Sequence, residues 1–318
     1  MEKRINFGIL GYARIARDKV IPGILEARNA NLYAVASTNT ARRREAMGAY
    51  PFEKAYDSYQ ALLDDPKVHA VYIPLPNSMH KEWAIKAANA GKHILCEKPL
   101  ALSLDDVDAM TAAARENKVL LMEAFMYRFT TRTQKVKELL AEGVIGEIRH
   151  INATFRFLLE DLSDIRLNAS LGGGSLWDVG CYPVNFIGML MVEEPTDVCA
   201  LKAERQEVDD SLSAVLRYRN GVIATVNSGL DSHSCMFTEI NGTGGTLLIQ
   251  DTFDDTTTPI LLVKDGKATE IRVAPCKRYV REAEGFADAI LNNRPAAVSL
   301  EETRRNIKVI LRILEAAR

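Results

Sequence analysis

A chain of 318 residues, 47% hydrophobic and 26% charged, has an ordinary globular composition and enough length for two domains. Its formal net charge of -2 gives no reason to expect nucleic acid or an anionic membrane as a partner, and no apolar run approaches the ~18–20 residues that span a bilayer. Five scattered cysteines, with no CxxC and no Cys/His cluster, argue against a metal centre and fit reduced thiols in a cytoplasmic protein.

The start, Met1-Glu2-Lys3-Arg4, runs straight into an apolar strand, Ile5 to Leu10, so no leader segment is expected. The strand feeds Gly11-Tyr12-Ala13-Arg14-Ile15-Ala16, which has the spacing of the dinucleotide fingerprint GxGxxG with alanine at its second and third glycine positions. Gly11 permits the tight strand-to-helix turn, small residues at 13 and 16 allow close approach, and a helix N-terminus offers free N–H groups to a pyrophosphate. The second strand, Leu32 to Ala36, ends in Ser37-Thr38-Asn39, about 25 residues after Gly11 and near the ~20 expected for the residue that reads the adenosine ribose. An NAD site usually places a carboxylate there. A hydroxyl at Ser37, followed by Arg42-Arg43-Arg44, instead suits a 2′-phosphate, so NADP(H) is expected over NAD(H), with Ser37 and Arg42 as main contacts and Thr38 beside them.

A short helix from Ser58 to Leu63 and a third strand, Ala70 to Ile73, continue the alternation. Pro74-Leu75-Pro76-Asn77 then forms a stiff wall fit to press on a nicotinamide or ribose, and His80 is either a helix-face residue without a task or a polar contact to the cofactor. The run His93 to Cys96 reads as a buried strand that stops before Pro99 and leaves Lys98 at its C-terminal tip, where ligands bind in open α/β sheets. A helix opened by Ser103 and a strand Val119 to Met122 complete a parallel, doubly wound sheet of βαβ units, assigned to residues 1–125.

Beyond Phe125 the pattern changes. A helix from Thr133 to Glu142 is followed by long segments of β character: 147–159, 212–218, 222–227, 246–249 and 260–263. Runs of strands predict an α+β domain over 126–318 with a large, mainly antiparallel sheet, one face of it open and fit for homodimer or homotetramer contacts. The final helix, with its stripe of Ile307, Ile310, Leu311 and Leu314, is able to pack back on the first domain.

Within this half, Leu171-Gly172-Gly173-Gly174-Ser175-Leu176-Trp177-Asp178-Val179-Gly180-Cys181-Tyr182-Pro183 stands out. Three glycines before a helix leave space for a ligand. Asp178 and Tyr182, four apart, share a helix face and can hold and deprotonate a hydroxyl group. Pro183 requires the helix to begin late or bend.

Taken in order, the glycine-rich turn at 8–16, Glu97-Lys98-Pro99 and the 172–182 segment resemble the marks of the Gfo/Idh/MocA family of NAD(P)-dependent oxidoreductases. Tyrosine at 182 and Glu123-Ala124-Phe125-Met126-Tyr127-Arg128-Phe129 resemble its branch of dihydrodiol dehydrogenases, NADP-dependent xylose dehydrogenases and glucose–fructose oxidoreductases. The resemblance implies hydride transfer between the nicotinamide and a carbinol or carbonyl carbon of a sugar, polyol or trans-dihydrodiol. It implies Lys98 and Tyr182 as the catalytic pair, Asp178 near the substrate, and Gly11, Tyr12, Ala13, Arg14, Ile15, Glu97, Lys98 and Arg128 among the cofactor residues. Tyr182 is then the acid/base, its phenol made a better base by the Lys98 ammonium, or else Lys98 transfers the proton and Tyr182 positions the substrate. Trp177, Phe155, Arg156 and Arg128 are candidates for the outer pocket. A competing expectation is a non-catalytic nucleotide sensor on the same fold.

Overall fold

The computed structural model describes residues 3–318; Met1 and Glu2, part of the stretch read as lacking a leader, lie outside the described residues. The chain forms two compact units. The first holds the residues up to Phe129 together with Lys277–Leu300, and the second holds Thr130–Cys276 and Glu301–Arg318. The expected continuous 126–318 domain is therefore interrupted. The last helix belongs to the second unit, and it is the segment before it that returns to the first.

In the first unit, β1 (Ile5–Leu10), α1 (Ile21–Glu26), β2 (Ala30–Ala36), α2 (Thr40–Ala49), β3 (Lys54–Tyr56), α3 (Tyr59–Leu63), β4 (Ala70–Ile73), α4 (His80–Asn89), β5 (His93–Glu97), α5 (Leu104–Glu116) and β6 (Leu121–Ala124) alternate along the chain. The six strands form one parallel sheet in the order β3-β2-β1-β4-β5-β6. This is the doubly wound order whose direction reverses between β1 and β4, the switch point outside which ligands bind. The core strands are apolar on both faces, with Phe7, Ile9, Val71 and Leu95 fully buried, as a parallel sheet covered on both sides requires. Strand β3 escaped sequence reading because it is three residues long and mostly exposed.

The second unit contains α6 (Thr131–Ala141), β7 (Ile148–Leu158), α7 (Cys181–Met191), β8 (Asp197–Arg205), β9 (Val208–Arg217), β10 (Ile223–Gly229), β11 (Asp231–Gly242), β12 (Gly245–Gln250), β13 (Ile260–Lys264) and β14 (Lys267–Ile271). They build an eight-stranded sheet in the order β14-β13-β12-β11-β7-β10-β9-β8, antiparallel except for the β7–β10 pair. One face carries the buried residues Ile151, Ala153, Ala224, Val226, Ile240 and Leu247. On the other, Val215, Thr225, Asn152, Glu239, Leu248 and Leu261 stand in one row across six strands. The Thr225 hydroxyl donates to Asn152 Oδ1 (2.8 Å) and the Asn227 amide to the same oxygen (3.1 Å), while Leu201 and Val215 stay exposed.

The chain then enters α8 (Arg278–Leu291) in the first unit and ends in α9 (Leu300–Ala316), of which all but Leu300 belongs to the second. Helix α8 lies so close to α1 that a Cβ on Gly23 would stand 2.8 Å from the Tyr279 carbonyl carbon. Phe286 of α8 packs on Phe7 of β1, ring centroids 6.1 Å apart.

Candidate functional site

In the first unit, the predicted cofactor residues gather at the C-terminal edge of the parallel sheet. Gly11 adopts φ +104°, a conformation that favours glycine, and a Cβ there would stand 3.0 Å from Leu75 Cδ2. Its N–H donates to Ala36 O (2.9 Å), joining the ends of β1 and β2. Helical structure starts at Arg14, just past Ala13, and Ile15 lies in its first turn. A π-turn at Ala16–Val20 absorbs the register before Pro22, which has no N–H to give. A bare backbone turn leading into a helix N-terminus fits a dinucleotide pyrophosphate. The Tyr12 side chain is buried beside Glu45, Tyr50 and Arg17, so it is the backbone of Tyr12 that belongs to the turn.

At the end of β2, the Ser37 hydroxyl accepts from Asn39 N (3.2 Å) and retains its own proton to donate. Asn39 caps α2, accepting from Ala41 N (2.9 Å) and Arg42 N (3.1 Å). Thr38 and the Arg42 side chain are exposed. Arg43 takes a different part from its neighbour, since Nη1 donates to Ser37 O at 2.6 Å and ties the loop closed. Tyr59, which sequence reading passed over, stands near both: its hydroxyl lies 3.7 Å from the position of a Gly11 Cβ. Burial raises its pKa and the Arg42 charge opposes that rise.

The wall after β4 is held by His80. Its Nε2 lies 2.8 Å from Leu75 O and its Nδ1 2.9 Å from Pro99 O, and the ring is fully buried. His80 is therefore not a cofactor contact, because no surface is left to offer. It joins the chain after Pro74 to the chain after Lys98. Burial lowers its pKa, although the Leu75 and Pro99 carbonyls favour the charged form. Asn77 opens a 3-10 turn, and the half-buried Arg128 donates its N–H to Phe125 O (3.0 Å).

Strand β5 ends at Glu97, one residue later than the apolar run suggested, and the Lys98–Pro99 peptide is cis. The Glu97 carboxylate accepts from the Tyr72 hydroxyl and from the Lys98 N–H (3.3 Å). Glu123, buried beneath, accepts from Leu100 N (2.9 Å). Burial first, and the Glu97 charge second, push the Glu282 carboxyl well above the usual range. Acidic side chains thus shape the loop that presents Lys98. Tyr72 and Glu282 carry no motif, the first sitting in an apolar strand and the second among the charged residues of a helix.

The second unit presents Asp178, Trp177 and Tyr182 on one helix that runs from Ser175 to Met191. Pro183 is accommodated by a π-turn at Leu176–Gly180 just before it. Sequence reading expected the glycines to leave space for a ligand, but Gly173 and Gly174 do not. A Cβ on Gly173 would lie 2.5 Å from Arg166 O, and one on Gly174 would collide with Asp209 Oδ1. The space is taken by the chain itself. Asp209 accepts from the Ser175 hydroxyl and from Leu176 N, both 2.7 Å, and so fixes the start of the helix.

Asp178 is joined to Arg166, Nε to Oδ2, at 2.6 Å. The Tyr182 ring packs against Phe155 (5.3 Å) and Phe253 (5.4 Å), and those two rings stack at 5.6 Å with planes 14° apart. Trp177 and Tyr182 are both largely buried. Arg156 follows Phe155 on β7, where successive side chains point to opposite faces, so of the two outer-pocket candidates on this strand only Phe155 shares the Tyr182 face. Arg166 and Phe253 have no sequence signal, one lying in an irregular loop and the other beyond a strand end.

Comparison with known proteins agrees with this architecture. Residues 5–125 match the oxidoreductase family with an NAD-binding Rossmann fold, and residues 133–248 match the GFO/IDH/MocA C-terminal domain. The chain is 37% identical to a D-xylose 1-dehydrogenase (NADP(+)) of Haloferax volcanii over 98% of its length and 97% of the relative's. It is 32% identical to trans-1,2-dihydrobenzene-1,2-diol dehydrogenase of Mus musculus, over 84% and 79% of the two chains. The crystal structure of KijD10, a 3-ketoreductase from Actinomadura kijaniata with NADP and TDP-benzene, superposes with a TM-score of 0.92 at 30% identity, covering 99% and 98% of the two chains. With both of its units matched and full-length relatives above 30% identity, the chain belongs to the Gfo/Idh/MocA family of oxidoreductases.

Proposed function

We propose that this protein is an NADP(H)-dependent dehydrogenase or reductase acting on a carbinol or carbonyl carbon of a sugar, polyol or trans-dihydrodiol. The observation that carries the cofactor assignment is the end of β2. Ser37, a largely buried hydroxyl in place of a carboxylate, is followed along the chain by the exposed Arg42, with Arg43 bracing the loop from behind. That arrangement suits a 2′-phosphate and gives no acidic acceptor for a free ribose hydroxyl pair. The xylose dehydrogenase relative is named for NADP(+), and KijD10 was crystallised with NADP.

When bound, the nicotinamide cofactor supplies the hydride chemistry. The chain supplies orientation and proton handling. Gly11, Ala13, Arg14 and Ile15 receive the pyrophosphate, Ser37, Thr38 and Arg42 the adenosine end, and Pro74, Leu75, Asn77, Glu97 and Arg128 the nicotinamide half. Lys98 and Tyr182 handle the proton at the substrate oxygen, Asp178 holds a neighbouring hydroxyl, and Trp177 lines the substrate. The order of the three motifs along the chain supports this assignment. The open face of the eight-stranded sheet, with exposed Leu201 and Val215, is proposed as a homo-oligomer contact, to be checked by light scattering at micromolar concentration.

The test is absorbance at 340 nm with NADPH or NADP and a panel of aldoses, ketoses, inositols and dihydrodiols. Turnover in wild type that falls at least ~100-fold in Lys98→Met and in Tyr182→Phe supports the reading. Near-normal turnover in Lys98→Met removes it. Tight NADPH binding with silence across the panel favours the nucleotide sensor.

A further inference from the structure

Arg166 lies in the irregular segment between β7 and the glycines, yet it holds Asp178 in two ways. Through its side chain, Nε reaches Asp178 Oδ2 at 2.6 Å while Nη1 lies 3.2 and 3.3 Å from the two oxygens of Asp164. Through its backbone, its carbonyl accepts from Gly174 N (2.8 Å), and Gly174 O in turn accepts from Asp178 N (3.0 Å). The guanidinium also rests 5.9 Å from the centre of the Phe157 ring, which limits its freedom from a third side. The Asp178 side chain is 17% exposed and that of Arg166 29%, so the pair is sheltered from competing water.

We propose that Arg166 is a positioning residue for substrate selection: by fixing one oxygen of Asp178 it sets the direction in which the carboxylate meets a substrate hydroxyl, and so makes the enzyme selective for vicinal diols. This rests on the reading of Asp178 as the partner of the hydroxyl next to the reacting carbon. A planar guanidinium fork engages Asp164 and Asp178 together, which a single ammonium cannot reproduce. A site built to hydrogen-bond a hydroxyl rejects the analogue lacking it, because its polar group is then left unpaired.

The experiment measures kcat and KM for the best diol substrate of the panel and for its deoxy analogue lacking the neighbouring hydroxyl, in wild type, Arg166→Gln, Arg166→Lys, Asp178→Asn and the Arg166→Gln/Asp178→Asn double variant. Arg166→Gln is expected to raise KM for the diol about tenfold with kcat changed less than about threefold, and to collapse the diol-over-deoxy ratio of kcat/KM by a similar factor. Arg166→Lys recovers part of the ratio, and in the Asp178→Asn background Arg166→Gln changes it no further. NADPH affinity, followed by fluorescence, stays at the wild-type value. Equal losses on the diol and the deoxy analogue make Arg166 merely structural and overturn the proposal. Asp178→Asn with its diol selectivity intact overturns it by another route, by removing Asp178 as the hydroxyl partner while leaving the dehydrogenase reading in place.

Discussion

The Asp209 carboxylate accepts the Ser175 hydroxyl at 2.7 Å, thirty-four residues away in the chain, and the same oxygen accepts the Leu176 N–H at 2.7 Å. It also lies where a side chain at Gly174 would have to go. Asp209 therefore sets the starting position of the helix that carries Asp178 and Tyr182. Replacing it with alanine leaves the buried Leu176 N–H without its acceptor and the Ser175 hydroxyl with Ser228 Oγ as its remaining partner, and should destabilise the fold by about 1–3 kcal/mol in urea unfolding. Asparagine keeps one acceptor oxygen and should cost less. Burial raises the Asp209 carboxyl above its ordinary value, opposed by Ser175 and Leu176. A carboxyl raised in the folded state is unpenalised in acid and costs stability once the pH passes its unfolded value and then its folded one. The wild type should thus lose ground against Asp209→Asn as the pH rises from about 4 toward neutrality, and unfolding curves at the two ends of that range check it.

Gly174 adopts φ +116° directly against Asp209. Both the conformation and the missing space oppose any side chain there, so Gly174→Ala should cost about 2–4 kcal/mol, with loss of activity following from the displaced helix start. Gly143, also at positive φ (+69°) but with nothing within 4 Å of an added Cβ, is the control. There Gly→Ala carries the conformational cost alone, about 1 kcal/mol. Equal thermal shifts in the two variants would show that the Asp209 contact contributes nothing.

The parallel sheet was legible because its strands are short apolar runs separated by helices with clear caps, such as Ser103 before α5. What was hidden lies where neither period nor motif carries a signal. Strand β11, with its Asp-Ser-His-Ser-Cys start, has little apolar alternation and is defined by its pairing with β7 and β12. The membership of α8 in the first unit follows from close packing at Gly23, Tyr279 and Phe286, a tertiary fact. Lys98, Asp178 and Tyr182 could be named from type and spacing, whereas Arg166, Asp209 and His80 act through contacts made only after folding.

His80 gives a pH prediction of the opposite kind. Its ring is fully buried between two carbonyls, and burial depresses its pKa. A histidine held neutral in the fold contributes stability that is complete above its unfolded value, about 6.5, and is lost as the pH falls below it. The melting temperature of the wild type should fall between pH 7.5 and pH 5 more steeply than that of His80→Gln, which has no charge to acquire. His69 and His93 are also shifted down by burial, and both remain in the variant, so the difference between the two proteins isolates His80. Parallel pH profiles would show that folding leaves the His80 pKa unshifted, and a shallower fall in the wild type would show that the ring is charged in the fold.

Arg42 and Arg43 sit side by side but face different tasks, and the cofactor preference should separate them. Arg43 is spent on Ser37 O (2.6 Å) and Thr40 Oγ1 (3.1 Å), so removing it should loosen the loop and weaken either cofactor. The Arg42 side chain is exposed on the first turn of α2, where a positive charge opposes the helix dipole and gains nothing for the fold. A charge-assisted contact to a 2′-phosphate is worth about 1.5–3 kcal/mol, or roughly 10–100-fold in affinity. Arg42→Ala should therefore lower NADPH affinity by that factor, leave NADH affinity within about twofold, and leave the melting temperature unchanged or slightly higher. Fluorescence titration with both reduced cofactors measures the ratio. Equal weakening for NADPH and NADH would mean that Arg42 does not read the phosphate, and the preference for NADP(H) would lose its physical basis at the end of β2.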